Sequence, residues 1–107
     1  MTSYHVKLTD EAVNDLLKIV NYYTEELYLP DKAAAKKKFI LDFISTLSTF
    51  PERGKLLIKQ DNVRFIKIPN EKFLILYQVI KDSNIVAVTN ILYGSPEHLE
   101  TFSKTRD

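Results

Sequence analysis

The chain has no cysteine and only two histidines, His5 and His98. The first absence excludes a disulfide framework and any cysteine-ligated zinc site, and it fits a reducing interior. The second leaves too few imidazoles for a histidine-rich metal centre, so neither a metal nor a cofactor is expected. No window approaches the ~18–20 apolar residues of a membrane-spanning helix. The opening residues MTSYHVKLTD also lack the apolar core of a secretion signal, so a cytoplasmic protein is expected. There is no repeat and no low-complexity tract. What remains is 107 residues with 45% hydrophobic and 27% charged side chains, the composition of an ordinary globular protein. One domain over residues 1–107 is expected, with a mobile tail from about residue 95 to 107.

The net charge of +1 conceals an asymmetry. Residues 1–31 sum to −4, residues 32–72 carry ten cations against four anions for +6, and residues 73–107 sum to −1. A basic middle on a nearly neutral chain can attract nucleic acid or an acidic protein surface, or simply solvate a helix.

Apolar periodicity divides the chain into a helical front and a strand-rich back. Tyr4, Val6 and Leu8 alternate as in a short strand. Thr9 is a suitable helix cap, with Asp10 and Glu11 in the first turn. Ala12, Leu16, Ile19, Val20, Tyr23 and Leu27 recur at helical spacing, predicting a helix from about 10 to 28 that Pro30 terminates. Asp31 is expected to cap a second helix with Ala33, Ile40, Phe43, Ile44, Leu47 and Phe50 on its apolar stripe, stopped by Pro51 within TFPERG. After residue 62 the period changes. NVRFIKIP, KFLILYQVI and NIVAVTNILY are rich in β-branched and aromatic residues and separated by short turns, which predicts an antiparallel meander. The expected fold class is α+β, in the order β-α-α-β-β-β, with a helical hairpin packed on a mainly antiparallel sheet. The apolar runs at 73–80 and 85–93 predict strands covered on both faces, or uncovered surface that binds a partner.

Most conspicuous side chains have plain structural readings. Lys36, Lys37 and Lys38 point in different directions around a helix and read as a solvated face. Tyr22, Tyr23 and Tyr28 read as core and rim packing, His5 as a surface residue, and Glu25 with Glu26 as an exposed helix end. Arg64 is less simple. It shares a strand face with Ile66 and Ile68, so its guanidinium must reach the rim, pair with a carboxylate or serve a phosphate. If it serves a phosphate or an acidic partner surface, Arg64→Ala is expected to remove the protein's activity at little cost in stability.

Three stretches then carry a family resemblance. They are Ala12-x-x-Asp15-Leu16-x-x-Ile19-x-x-Tyr22, the Leu47-x-x-Phe50-Pro51-x-x-Gly54 corner, and Tyr77 with Ile91-x-Tyr93. Together, from about Tyr4 to Gly94, they resemble the RelE/ParE superfamily of bacterial toxins, the toxin halves of type II toxin–antitoxin and plasmid-stabilisation loci. The resemblance implies the same β-α-α-β-β-β fold and a cognate antitoxin with an acidic or amphipathic C-terminal segment. It also implies a target, DNA gyrase or the ribosome, and assembly as a homodimer or as a heterotetramer with the antitoxin.

The superfamily divides by activity. RelE-like members cut messenger RNA on the ribosome without a metal, which calls for a base, cations around the developing phosphorane and an acid. Here Arg64, Lys67, Tyr93 and His98 are the candidates that the resemblance supplies. After the last strand, however, relatives often read H-G-R-R-D where this chain reads Tyr93-Gly94-Ser95-Pro96-Glu97. Tyr93 therefore reads as a strand end and contact edge. The ParE-like branch, whose members bind and poison gyrase, is the closer resemblance. A ribosome-dependent endoribonuclease is the alternative, and a non-toxic binding module a second one. Lys55, Lys59, Arg64, Lys67, Tyr77 and Tyr93 are the candidate contacts for target or antitoxin.

Overall fold

The computed structural model describes residues 3–94, so His98 and the expected tail at 95–107 lie outside the described residues. The described chain runs β1 (His5–Leu8), α1 (Asp10–Asn21), α2 (Pro30–Ser45), β2 (Lys55–Ile58), β3 (Val63–Lys67), β4 (Phe73–Ile80) and β5 (Ile85–Tyr93). The strands form one sheet in the order β1-β5-β4-β3-β2, with β1 parallel to β5 and every other pair antiparallel. The α+β arrangement is the expected one, with one strand more. β2 has the sequence Lys-Leu-Leu-Ile, which is four residues without alternation, and so carries no period to read.

The helix boundaries follow local chemistry. Thr9 caps α1 as expected, its hydroxyl accepting the Ala12 N–H at 3.2 Å. α1 is shorter than its apolar period suggested. At Tyr22 the helix widens into a π turn, Tyr22–Glu26, in which the Leu27 N–H donates to the Tyr22 carbonyl at 3.1 Å. Tyr28 then turns left-handed, at φ 54°. Leu29 precedes a proline and is excluded from helical geometry for that reason. Pro30 does not end a helix here. It occupies the first turn of α2, where its missing N–H costs nothing, and Asp31 sits in that first turn rather than at the cap.

α1 and α2 cover one face of the sheet. Ala12, Leu16, Ile40, Ile44 and Leu47 pack on Phe73, Ile75, Tyr77 and Val79 of β4 and on Val86, Val88 and Ile91 of β5. Each Val, Leu, Ile or Phe among them contributes about 1.5–3 kcal/mol when fully buried. The opposite face carries a smaller cluster, in which Leu74 and Leu76 are buried and Leu57, Phe65 and Leu92 pack beside them. The uncovered apolar surface expected of β4 is therefore absent at Leu74 and Leu76. The two-faced run reflects two-faced burial, and the exposed large apolar side chains lie mainly on the helical hairpin and its tip, including Val13, Leu17, Tyr22, Tyr28 and Phe39.

β5 outruns β1, whose last partner is Val88. Beyond that point α1 takes over the pairing. The Thr9 N–H donates to the Val88 carbonyl at 2.9 Å, and the Ile91 N–H donates to the Asp15 carboxylate at 2.9 Å. Asn90 donates to Glu11 at 3.2 Å beside it. Asp15 thus closes the ladder that β1 leaves unfinished.

Candidate functional site

The candidate contacts separate into three places. The first is the corner after α2. Phe50, exposed and left-handed at φ 49°, turns the chain into Pro51 and a short 3-10 turn, Pro51–Arg53. The Tyr77 side chain of β4 rises under this turn, and its residue is 0% exposed. Its hydroxyl donates to the Pro51 carbonyl at 2.6 Å and accepts the Gly54 N–H at 3.1 Å. Gly54 is required for space: a Cβ there would stand 2.2 Å from the Tyr77 hydroxyl and 2.8 Å from the Phe65 carbonyl oxygen. Burial pushes the Tyr77 phenol above its ordinary pKa, partly opposed by the Gly54 N–H. Tyr77 is a buried brace here and offers no surface to a partner.

Arg64, opposite Tyr77 in the β3–β4 ladder, serves the same corner. Its guanidinium donates to the carbonyls of Glu52 and Gly54, both at 2.8 Å, and to the Asn62 side chain at 2.9 Å. It also reaches the Glu52 carboxylate at 3.4 Å, and its side chain is only 14% exposed. Of the three fates open to a strand arginine, the structure selects the carboxylate and the carbonyls beside it. Lys81, 3.1 Å from Glu52, is the largest influence holding that carboxyl below its usual range.

The second place is the helix-free face. Lys55 pairs with Phe65, and Lys67 with Leu74, so both lysines point away from the helices, while Arg64 and Tyr77 share the helix side. Lys59 is exposed just past β2. A ribonuclease centre built on Arg64, Lys67 and Tyr93 would need all three at one phosphate. Lys67 is on the wrong face. Arg64 is level with Tyr77 and Tyr93 with Phe73, four residues apart along β4 and so separated by about 13 Å along the strand.

The third place is a groove of about 610 Å³ where the end of α1, the π turn and the first turn of α2 meet the paired ends of β4 and β5. Lys18, Ile19, Tyr22, Tyr23, Leu27, Lys32, Phe73 and Tyr93 line it. Two edge-to-face pairs shape its floor and wall, Tyr22 on Tyr23 and Phe73 on Tyr93, each with ring centres 5.6 Å apart. Tyr93 is 70% exposed. Lys36 stands 6.0 Å from the Tyr23 ring but is already paired with Glu71. The sequence singled out Tyr93 for this place and missed Tyr22, Tyr23, Leu27 and Phe73. The signal was available in three aromatic residues within seven positions, but the helical period assigned them to packing. Tyr22 and Tyr23 open the π turn and Leu27 follows it, so the groove side of the hairpin is built from the end of α1 and this turn. Among the described residues there is no cluster of three metal-ligating side chains, and no helix is long and apolar enough to cross a membrane.

Comparison with known proteins places this geometry. The chain superimposes on a chain of the chromosomal ParDE toxin–antitoxin system of Pseudomonas aeruginosa with a TM-score of 0.74, at 20% identity over 89% of this chain and 100% of that one. It superimposes on a chain of the RelBE2 toxin–antitoxin complex of Mycobacterium tuberculosis with a TM-score of 0.61, at 23% identity over 87% of this chain and 93% of that one. A free-state mutant of Escherichia coli toxin RelE gives a TM-score of 0.59, at 20% identity over 97% of both chains. No curated protein matches by sequence. The pattern described as "ParE toxin of type II toxin-antitoxin system, parDE" matches residues 6–97, which runs from within β1 through both helices to the end of β5. The chain therefore belongs to the ParE toxin family of type II toxin–antitoxin systems, in the RelE/ParE superfamily.

Proposed function

We propose that this protein inhibits growth by binding an essential target, DNA gyrase, and that a cognate antitoxin neutralises it. The observation that carries the reading is the use made of Arg64. Cutting a phosphodiester without a metal needs free cations and a proton donor and acceptor around one phosphorus. The strand arginine that could stabilise the phosphorane is instead bonded to Glu52, Gly54 and Asn62 of its own chain. Tyr93 lies at the other end of the sheet, in an aromatic groove suited to docking. The family match to ParE supports the same branch, and the ParDE and RelBE likenesses, solved as toxin–antitoxin systems, support an antitoxin partner.

The test sets two assays side by side. Purified protein should inhibit supercoiling by gyrase and leave messenger RNA intact in a translating extract. Site-specific cleavage in the extract, with supercoiling unaffected, would establish the ribonuclease alternative. Harmless overexpression together with inactivity in both assays would leave the non-toxic binding module. The antitoxin arm is read separately, by co-purification with the product of the adjoining reading frame.

A further inference from the structure

Among the described residues, five non-glycine residues have left-handed backbone, and three of them are asparagines, Asn62, Asn70 and Asn84. Asparagine tolerates that conformation, whereas a bulky aromatic residue is strained in it. The other two are Tyr28 and Phe50, at φ 54° and 49°. Tyr28 at least presents a hydroxyl to water. Phe50 has no polar atom on its side chain, yet it is 68% exposed and belongs to neither apolar cluster. Three sets of hydrogen bonds hold it there. Its carbonyl accepts the Arg53 N–H at 3.1 Å, and the Arg53 guanidinium donates to the Thr46 and Thr49 carbonyls at 3.1 and 3.0 Å. Tyr77 clasps Pro51 and Gly54, and Arg64 clasps Glu52 and Gly54. Folding alone would be served better by asparagine at this position. Strain that the surrounding structure over-determines is characteristic of contact sites and ligand clamps.

The charge around the ring indicates what it meets. Glu52 is shared by Arg64 and Lys81, so two cations face one carboxylate. Arg53 bonds only neutral oxygens of Thr46 and Thr49, which leaves its charge uncompensated. An apolar ring amid net positive charge fits an apolar pocket on a protein with carboxylates at its rim. Duplex DNA fits less well, because phosphate binding takes a row of free cations and Arg64 is committed to its own corner. The aromatic groove starts at the first turn of α2 and this corner follows its last, so the 16-residue helix, about 24 Å long, lies between them. A partner seated in the groove leaves Phe50 free.

We propose that Phe50 is the aromatic anchor for the toxin's target, inserted into an acidic-rimmed apolar pocket of that protein, and that the bracing by Tyr77, Arg64 and Arg53 holds it out for this contact. The proposal rests on the reading above that the protein acts by binding a protein target. Phe50→Asn is the decisive variant, because it removes the ring and suits the backbone. Its melting temperature should equal that of the wild type or exceed it by about 4 °C. The concentration giving half-maximal inhibition of gyrase supercoiling should rise about tenfold or more. Growth inhibition on induced expression should weaken in parallel at matched protein level, while antitoxin binding stays within about twofold. A melting temperature lowered by about 4 °C or more would make Phe50 a packing residue and overturn the proposal, as would unchanged inhibition. Equal loss of antitoxin binding would overturn the assignment to the target. Binding to a duplex oligonucleotide that Phe50→Asn abolishes would overturn it in favour of DNA. If the wild type restrains growth but leaves supercoiling untouched, the gyrase reading fails alone, and the growth comparison decides Phe50.

Discussion

At the scale of single residues, the corner after α2 shows what a motif is for. Phe50-Pro51-x-x-Gly54 is spaced so that a strand tyrosine can bond the Pro51 carbonyl and the Gly54 N–H while touching glycine where any side chain would collide. Tyr77→Phe leaves both buried groups unpaired, and we expect it to cost about 1–3 kcal/mol, read as a lower denaturant midpoint at unchanged slope. The same residue has an alkaline signature. Its phenol is held above the ordinary pKa in the folded state, so the neutral form is favoured there. Its contribution is complete below the unfolded value of about 10 and is lost as pH rises toward and through the folded value. Stability should therefore fall more steeply above about pH 10 in the wild type than in Tyr77→Phe. Arg64 carries the complementary correction. Low cost of removal was expected only if Arg64 served a partner, and the structure gives the other reading, with its guanidinium bonded to backbone and side-chain oxygens of its own corner. Arg64→Ala should lower stability by about 1–3 kcal/mol, and loss of toxicity in that variant should track its unfolding in a thermal melt.

At the scale of elements, the strands from β3 onward and the body of each helix were legible because their periods are long and clean. The misses share a physical cause: tertiary geometry overrode a local pattern. β2 has no alternation of its own and is a strand because β3 offers it an edge. The helical spacing through Tyr23 and Leu27 continued past the point where the π turn and left-handed Tyr28 redirect the chain. Pro30 was legible as punctuation, but a proline that ends one helix and one that begins the next look the same in sequence. In the candidate site, Tyr93 was legible as a strand end, while the rest of the groove depends on α1, the π turn, α2, β4 and β5 meeting and could not be read from any one of them. Asp15 gives the element-scale prediction. It is on α1 but completes the hydrogen bonding of β5 at Ile91. Asp15→Ala should destabilise by about 1–3 kcal/mol, because a part-buried strand N–H loses its carboxylate acceptor. Hydrogen exchange should then show the Ile91 amide losing protection before the amides of β3 and β4. Uniform loss across the sheet would mean that Asp15 supports the whole fold rather than this junction.

At the scale of the whole molecule, the +6 middle of the chain is distributed over both sides of the sheet. Lys55 and Lys67 lie on the helix-free face with Lys59 beyond β2, and Lys32 lies at the groove on the helix side. Charges so spread do not make one contact. They make a field, and a field acts on the rate at which an acidic partner arrives more than on how long it stays. We therefore expect the triple change Lys55→Glu, Lys59→Glu and Lys67→Glu to slow association with the antitoxin by about tenfold at low salt while leaving the dissociation rate within about twofold. The slope of the association rate against ionic strength should flatten, and the wild type and variant should converge near 1 M salt, where the screening length is about 3 Å. Tyr93→Ala should do the reverse, raising the dissociation rate with the salt slope intact, because it removes an apolar anchor and no charge. Stopped-flow mixing with the co-purified partner measures both rates. If the lysine changes act chiefly on dissociation, the three side chains touch the partner directly, and the docking surface extends across the sheet to the face opposite the groove.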